Sequence, residues 1–257
     1  MIITQPPRFT QERHARIVEW LNAHGRVEVL ELARTLEVSE HTIRRDLDAL
    51  QAAGVLQRTH GGAVAIDTKR LSFGGRAAVL PDVKLHLGQA GAALVEAGQS
   101  IVLDAGSTTL AMARALTVRP LTVITNSLDV AAVFDRDPMV QLVVLGGVWQ
   151  PDARAFWGHA TTEMLAFHRA DWAVPGACAV DLHAGVTASE EPDAMLKRAM
   201  SKAARRTLVL ADHSKVGGVA PYRVADWSQV HTLVTDRPWP ALAEQGVDVV
   251  VAEPPAT

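Results

Sequence analysis

Ser39-Glu40-His41-Thr42-Ile43-Arg44-Arg45-Asp46-Leu47 is the stretch whose reading decides the fold. Ile43, Leu47 and Leu50 fall at i, i+4 and i+7 and make one apolar stripe of a helix. His41, Thr42, Arg44, Arg45 and Asp48 lie off that stripe and face solvent or a ligand. Ser39 is suited to cap the helix, Glu40 complements its dipole in the first turn, and Gly54 is placed to end it. Taken alone, the pattern fits an ordinary amphipathic surface helix as well as one that reads DNA. Its neighbours decide between the two.

Upstream, Thr10 is a candidate cap for a helix through His24, with Ile17, Val18 and Leu21 facing a core and Gly25 as its stop. A shorter helix fits Val29–Leu36, burying Leu32, Ala33 and Leu36. Glu37-Val38-Ser39 is then a tight turn into the quoted stretch, which gives a helix-turn-helix. Downstream, 55–59 alternates like a strand, His60-Gly61-Gly62 makes a turn, and Ala63–Ile66 returns. That hairpin reads as a wing, with Arg58 and His60 placed to touch a phosphate backbone.

These residues resemble the N-terminal signature of the deoxyribose-operon-repressor (DeoR) family. The match runs from Arg13-x3-Ile17-x3-Leu21 through Ser39-x2-Thr42-Ile43-Arg44-Arg45-Asp46-Leu47 to His60-Gly61-Gly62-Ala63. The resemblance implies that the helix opening at Ser39 enters the major groove of double-stranded operator DNA. Its DNA-contacting candidates are Ser39, His41, Thr42, Arg44, Arg45, Arg58, His60 and Gly61. An arginine on the helix is suited to a bidentate contact with guanine, whereas Arg58 on the wing is suited to phosphate. Asp46 would repel phosphate, so it is expected to hold Arg45 or a neighbouring arginine; the alternative is a plain surface ion pair.

Length and composition bound the rest. The chain has 257 residues, of which 48% are hydrophobic and 21% charged, with ample material for one large or two smaller domains. Cys178, alone, cannot form an internal disulfide, and no apolar run approaches the roughly 20 residues of a membrane span, so a cytoplasmic protein is expected. The opening residues, with Pro6 and Pro7, do not read as a signal peptide. Net charge is −3, and residues 1–70 hold ten Lys/Arg against nine Asp/Glu, so DNA binding must come from a few placed arginines rather than a basic field.

Residues 67–83, with Gly74-Gly75 and Pro81, lack periodicity and read as a linker. The division expected is a winged helix-turn-helix domain over 1–66, the linker, and an effector-binding sensor domain over 84–257. From Ser100 apolar strands alternate with helices, at Ile101–Leu103, Leu121–Thr125, Val140–Leu145, Trp172–Val174, Thr207–Ala211, Leu233–Thr235 and Val247–Val251. Several are near-continuous apolar runs, the mark of a mostly parallel sheet covered on both faces. The fold class is therefore an α/β C-terminal domain beside a smaller N-terminal domain. Ligands of such sheets bind beyond the strand carboxyl ends, and here those ends are polar or glycine-rich. They are Asp104-Ala105-Gly106-Ser107-Thr108-Thr109, Thr125-Asn126-Ser127, Gly146-Gly147 and Asp212-His213-Ser214-Lys215. Each alone fits simple capping, but four on one rim point to a pocket, the first with the makings of a phosphate cradle.

This half resembles the DeoR family's sensor domain, at Lys84, the four strand ends above, Gly158, Asp171, Gly176, Asp181, Gly185, Lys197 and Arg198. The resemblance implies a fold like ribose-5-phosphate isomerase and a phosphorylated sugar or related metabolite as effector. It marks Asp104, Gly106, Ser107, Thr108, Thr109, Asn126, Gly146, Gly147, Lys197 and Lys215 as effector-binding, with phosphate on Gly106–Thr109 and charge from Lys215 or Lys197. Pro175 departs from the family pattern, so its strand is expected to end early or lie at an edge. His183 is expected to face solvent, and Glu190-Glu191 to open a helix.

The reading is a metabolite-responsive repressor of a sugar-catabolic operon, acting as a homodimer or homotetramer on repeated half-sites. No catalytic residues, cofactor or metal site are expected: the isomerase's acidic cluster is not visible, and His and Cys lack ligand spacing. The competing readings are a sugar-phosphate isomerase-like enzyme and a DNA-binding protein whose C-terminal part only oligomerises.

Overall fold

In a computed structural model, which describes residues 10–52, 56–65 and 73–252, the chain divides into two compact units, the division in sequence falling between residues 70 and 81. The first holds α1 (Thr10–His24), β1 (Arg26–Glu28), α2 (Val29–Thr35), α3 (Glu40–Ala52), β2 (Leu56–Thr59) and β3 (Gly62–Ala65). Three helices close on one core in which Ile17, Leu21, Leu32, Leu36, Ile43, Leu47 and Leu50 are all buried. The stripe of the quoted stretch is thus the inner face of α3. Gly54 and Ile66 lie outside the described residues.

The wing differs from expectation in two respects. It has three strands in the order β1-β3-β2, because Arg26–Glu28 pairs antiparallel with Gly62–Val64. Only His60 and Gly61 make the turn, since Gly62 already pairs with both Thr59 and Glu28. A side chain at Gly62 would strike the Val27 carbonyl oxygen at 1.9 Å, so the third strand can close only on a glycine.

The second unit is led by α4 (Phe73–Ala78) and α5 (Pro81–Ala92). Helix therefore occupies part of the stretch expected to be aperiodic, and α5 opens at Pro81, where a missing N–H costs nothing. Then follow β4 (Ser100–Leu103), α6 (Ser107–Ala115), β5 (Leu121–Thr125), α7 (Leu128–Phe134), β6 (Val140–Val144), and a hairpin of β7 (Val148–Gln150) and β8 (Ala155–Trp157). After them come α8 (His159–Ala166), β9 (Ala170–Val174), β10 (Ala179–Asp181), β11 (Gly185–Ala188), α9 (Glu191–Ala203), β12 (Ala204–Leu210), β13 (Tyr222–Ala225), β14 (Thr232–Thr235), α10 (Pro240–Ala243) and β15 (Asp248–Val251).

All seven expected strands join one parallel sheet, ordered β15-β14-β12-β9-β4-β5-β6. Ile101 and Leu103 of β4 pack with Leu87, Met112 and Phe134 from α5, α6 and α7, while Val102 packs with Leu165, Leu196 and Met200 from α8 and α9. Covered faces on both sides explain why these strands read as apolar runs rather than alternating ones. The small sheet β10-β11-β13 and the β7–β8 hairpin were not foreseen, being three- and four-residue strands.

Of the two outcomes expected for the strand before Pro175, the early end is found and the edge position is corrected. β9 lies between β4 and β12, at the centre of the sheet and not at an edge. Pro175 falls one residue beyond it, where no ladder hydrogen bond is asked of its nitrogen.

Candidate functional site

In the first unit the candidate site is the outer face of α3 with the wing. Ser39 Oγ accepts from the Thr42 backbone N–H at 3.1 Å, capping the helix, and the two hydroxyls share a 2.8 Å hydrogen bond. Ser39 and Thr42 thus satisfy each other at the helix start. His41, Arg44 and Arg45 are exposed along α3, as are His60 and Gly61 at the wing tip. Arg44 is paired with Glu40 one turn back at 2.8 Å. Arg58 ties wing to helix: its guanidinium reaches Asp48 at 3.6 Å and donates to the Arg44 carbonyl at 3.4 Å, and its backbone N–H donates to Gln51.

Asp46 corrects a second expectation. It holds neither Arg45 nor a surface partner but is buried, accepting two hydrogen bonds from Arg13 and one from His14 on α1. Burial pulls its carboxyl upward, yet the hydrogen bonds from Arg13 and His14 outweigh that and hold it below the ordinary carboxylate range. The signal was in the sequence. Asp46 stands at i+3 from Ile43 and beside Leu47, a core position where a carboxylate needs a partner.

In the second unit the sheet's strand order sets the site. From β4 the chain winds outward through β5 and β6, then returns to β9 on the other side of β4 and winds the opposite way. The switch point between β4 and β9 opens a crevice at their carboxyl ends, the place where such sheets bind ligands. Asp104 and Pro175-Gly176 stand at that point. Asp104 is buried and accepts from the Gly176 N–H at 2.8 Å and its neighbour Ala105 N–H at 2.7 Å. A Cβ at Gly176 would lie 3.1 Å from that carboxylate, tighter than an ordinary contact, so the glycine eases the close approach of the two strand ends.

Asn126, buried at the end of β5, accepts from Ala105 N–H at 3.2 Å and donates to the Phe156 carbonyl, linking two strand ends to the β7–β8 hairpin. Gly106 precedes α6, whose first turn carries Ser107 part-exposed and Thr108 and Thr109 buried. Lys197, buried on α9, is bonded to Asp193 and lies 3.6 Å from Asp104. Burial opposes its charge, but the two carboxylates prevail and hold the ammonium protonated well above the ordinary lysine value. Burial pushes Asp104 upward, against Lys197 and the two N–H donors.

The structure thus brings Asp104, Gly106–Thr109, Asn126 and Lys197 together at the switch point. Lys215 reaches the same edge, donating to the Ala177 carbonyl at 2.6 Å. Gly146 and Gly147 pack against Thr161 of α8. Thr161 donates to the Gly146 carbonyl at 2.7 Å, and a side chain at Gly147, whose φ is 147°, would strike Thr161 Oγ1 at 2.0 Å. Asp171 binds Ser100 at the opposite edge of the sheet, Asp181 closes the β10–β11 turn, and His183 is exposed. A hollow of about 380 Å³ between Gly98, Pro120 and Pro138 also lies at that opposite edge, away from the crevice. Lys84 was read only as a family position; the structure buries it on α5, facing Asp212 and Lys215 beside the crevice. Among the described residues no group of His, Cys, Asp and Glu is arranged to hold a metal ion, and no helix is long and apolar enough to cross a membrane.

Two family models match the chain, a DeoR-like helix-turn-helix domain over residues 13–69 and a DeoR C-terminal sensor domain over 81–237. The HTH-type transcriptional repressor GlcR of Bacillus subtilis is 33% identical over 95% of this chain and 97% of that protein. The L-fucose operon activator of Haemophilus influenzae is 34% identical over 89% of this chain and 92% of its own. Ribose 5-phosphate isomerase A of Methanocaldococcus jannaschii is 20% identical over 53% of this chain and 54% of that one, with a TM-score of 0.39, a likeness too loose to bear on function.

Proposed function

The chain belongs to the DeoR family of DNA-binding transcription regulators, and from that premise we propose that it represses a sugar-catabolic operon under control of a phosphorylated sugar or a related metabolite. The observation that carries the effector half is the position of Gly106–Thr109. This turn opens α6 at the topological switch point, which suits its backbone N–H groups to an anion in the crevice with the helix dipole behind them. A phosphate there meets no competing side-chain bond from Ser107 among the described residues. Asp104 and Asn126 shape the floor, and Lys215 adds charge at one side.

The DNA half rests on α3 and the wing. His41, Arg44 and Arg45 lie on the exposed face of a helix whose inner face is fixed by its core, and Arg58, His60 and Gly61 flank it. Operator and effector favour different states of the protein, so each weakens the other by a common factor. One such helix reads few bases, so the protein acts as a homodimer or homotetramer.

The isomerase-like alternative needs a carboxylate free to move a proton at a substrate carbon. Of the carboxylates near the switch point, Asp104 and Asp193 are both engaged by Lys197 and Asp212 accepts from Ser214 through Oδ1, which supports binding without turnover. The test is a thermal-shift screen of the full chain against sugar and polyol phosphates, followed by operator binding with each hit. A ligand at 100 times its dissociation constant stabilises by about 2.7 kcal/mol, and a hit is expected to change operator affinity. Turnover of any such phosphate by the purified protein, or hits that leave operator affinity unchanged, would overturn the reading.

A further inference from the structure

We infer that Asp236 is a positioning residue of the effector site: through His213 it fixes the turn that carries Lys215, and so sets where that lysine's charge meets a bound anion. The inference rests on the reading that Lys215 lends charge to an anion seated on Gly106–Thr109. It adds a residue that acts on the ligand only through another.

The need for such a residue follows from where β12 ends. Its ladder with β14 runs from Leu208 opposite Thr232 to Leu210 opposite Val234, and the Ala211 N–H adds one more bond, to the Val234 carbonyl. Beyond that point the chain leaves the sheet as Asp212 and a single 3-10 turn, His213–Lys215. None of the three turn residues is buried, so hydrogen bonds rather than packing must place them. A lysine magnifies any error in its backbone, because its charge sits at the end of a flexible four-carbon stem.

Asp236 supplies the bonds. It stands one residue past β14, the neighbouring strand, and both of its carboxylate oxygens go to His213. Oδ1 accepts from the His213 backbone N–H at 2.7 Å, and Oδ2 accepts from the ring at Nδ1. An ionised carboxylate only accepts, so Nδ1 carries the proton and the ring is held in one orientation. The two side chains are only 14% and 13% exposed, which limits competition from water. Burial pulls the Asp236 carboxyl upward, but the bonds from His213 outweigh that and hold it below the ordinary carboxylate range.

The rest of the turn is tied to this point in series. The Ser214 N–H donates to the Asp212 carboxylate at 3.0 Å, the Lys215 N–H to the Asp212 carbonyl at 3.0 Å, and the Val216 N–H to the His213 carbonyl at 3.3 Å. On the far side the Gly217 N–H donates to the Val180 carbonyl at 2.8 Å. Lys215 therefore lies between two anchors, Asp236 before it and Val180 after it, and its ammonium meets the Ala177 carbonyl on the crevice edge. Without Asp236 the first anchor is gone and the lysine is held from one side. Asp212 is less affected, because Ala211 beside it is still in the ladder.

The experiment is a double-mutant cycle on Asp236 and Lys215 in the full chain, with inorganic phosphate as the probe and calorimetry as the readout. Asp236→Ala and Lys215→Met are each expected to weaken phosphate binding about tenfold. The double variant is expected to bind within about twofold of Lys215→Met, since Asp236 has nothing left to position. Phosphate-free Asp236→Ala is expected to bind operator DNA as the unaltered protein does. It is also expected to be reductively methylated faster at Lys215, with the exposed Lys202 as the unchanged internal reference. His213→Asn returns an amide donor close to the place of Nδ1 and is expected to restore binding to within about threefold, where His213→Ala does not. Should Asp236→Ala fail to fold, His213→Ala removes the ring bond alone and takes its place in the cycle. Full phosphate binding by Asp236→Ala, with loss in Lys215→Met, overturns the inference and leaves the anion site standing. A cost that is the same with and without Lys215, or equal methylation of Lys215 in the two proteins, also overturns it. Full binding by Lys215→Met removes Lys215 from the site, and Asp236 with it.

Discussion

Asp46 shows how one carboxylate can set the geometry of a DNA-reading helix. Arg13 and His14 reach it from α1, so α3 is fixed to its neighbour by charge as well as by Ile43, Leu47 and Leu50. The pair is buried on both sides, with side-chain exposures of 10% and 6%, so removing one partner strands the other. Asp46→Asn is expected to cost about 3 kcal/mol at pH 7 and to speed hydrogen exchange of the α3 amides about a hundredfold. Unchanged exchange would mean that the core alone fixes the helix. The pH dependence has a definite sign. A carboxyl held below its unfolded value of about 3.9 contributes stability that is present above that value and is lost as pH falls through the folded one. Acid therefore loosens α3 in the unaltered protein and has less to remove in Asp46→Asn.

Helices and strands were legible where burial is one-sided or complete. α3 was readable from its stripe, and the seven parallel strands from their apolar runs, because each pattern records which faces are covered. The short pieces were not. Arg26–Glu28 has a single buried residue, Val27, and becomes a strand only because β3 lies beside it. Close contacts between elements were also hidden. Gly88 bears no local mark in the sequence, yet it is where α5 and α6 meet. Gly88→Ala gains about 1 kcal/mol in helix propensity but places a Cβ 2.6 Å from main-chain atoms that cannot rotate away. The clash is expected to win, with a net loss of about 2 kcal/mol in denaturant unfolding. A stabilised Gly88→Ala protein would show that the helices can part freely.

For the whole molecule, charge limits how DNA can be held. Net charge is −3, and the ten cations of residues 1–70 are nearly matched by nine anions, so no broad field draws DNA in. Position must compensate. Arg58 is anchored to Asp48 and to the Arg44 carbonyl, at the junction of wing and helix, which suits a fixed phosphate contact. Arg44, paired with Glu40 on the open face of α3, can turn to a base edge. Arg58→Ala is expected to weaken operator and random DNA alike and to reduce the salt slope by about one. Arg44→Ala is expected to cost about 1–3 kcal/mol at the operator and little on random DNA. Identical behaviour of the two variants across operator changes would erase that division of labour. The sequence by itself determined the two kinds of domain, the inner face of α3 and the seven strands, because apolar period reports burial directly. It also determined that the strand ends are polar. Only the tertiary structure decided which of those ends meet. The crevice exists because β9 returns to the far side of β4, and nothing local to either strand encodes that neighbour. The same holds for Asp46 with Arg13: a partner distant in the chain is chosen by packing, and one sequence read locally records the need for a partner without recording its identity.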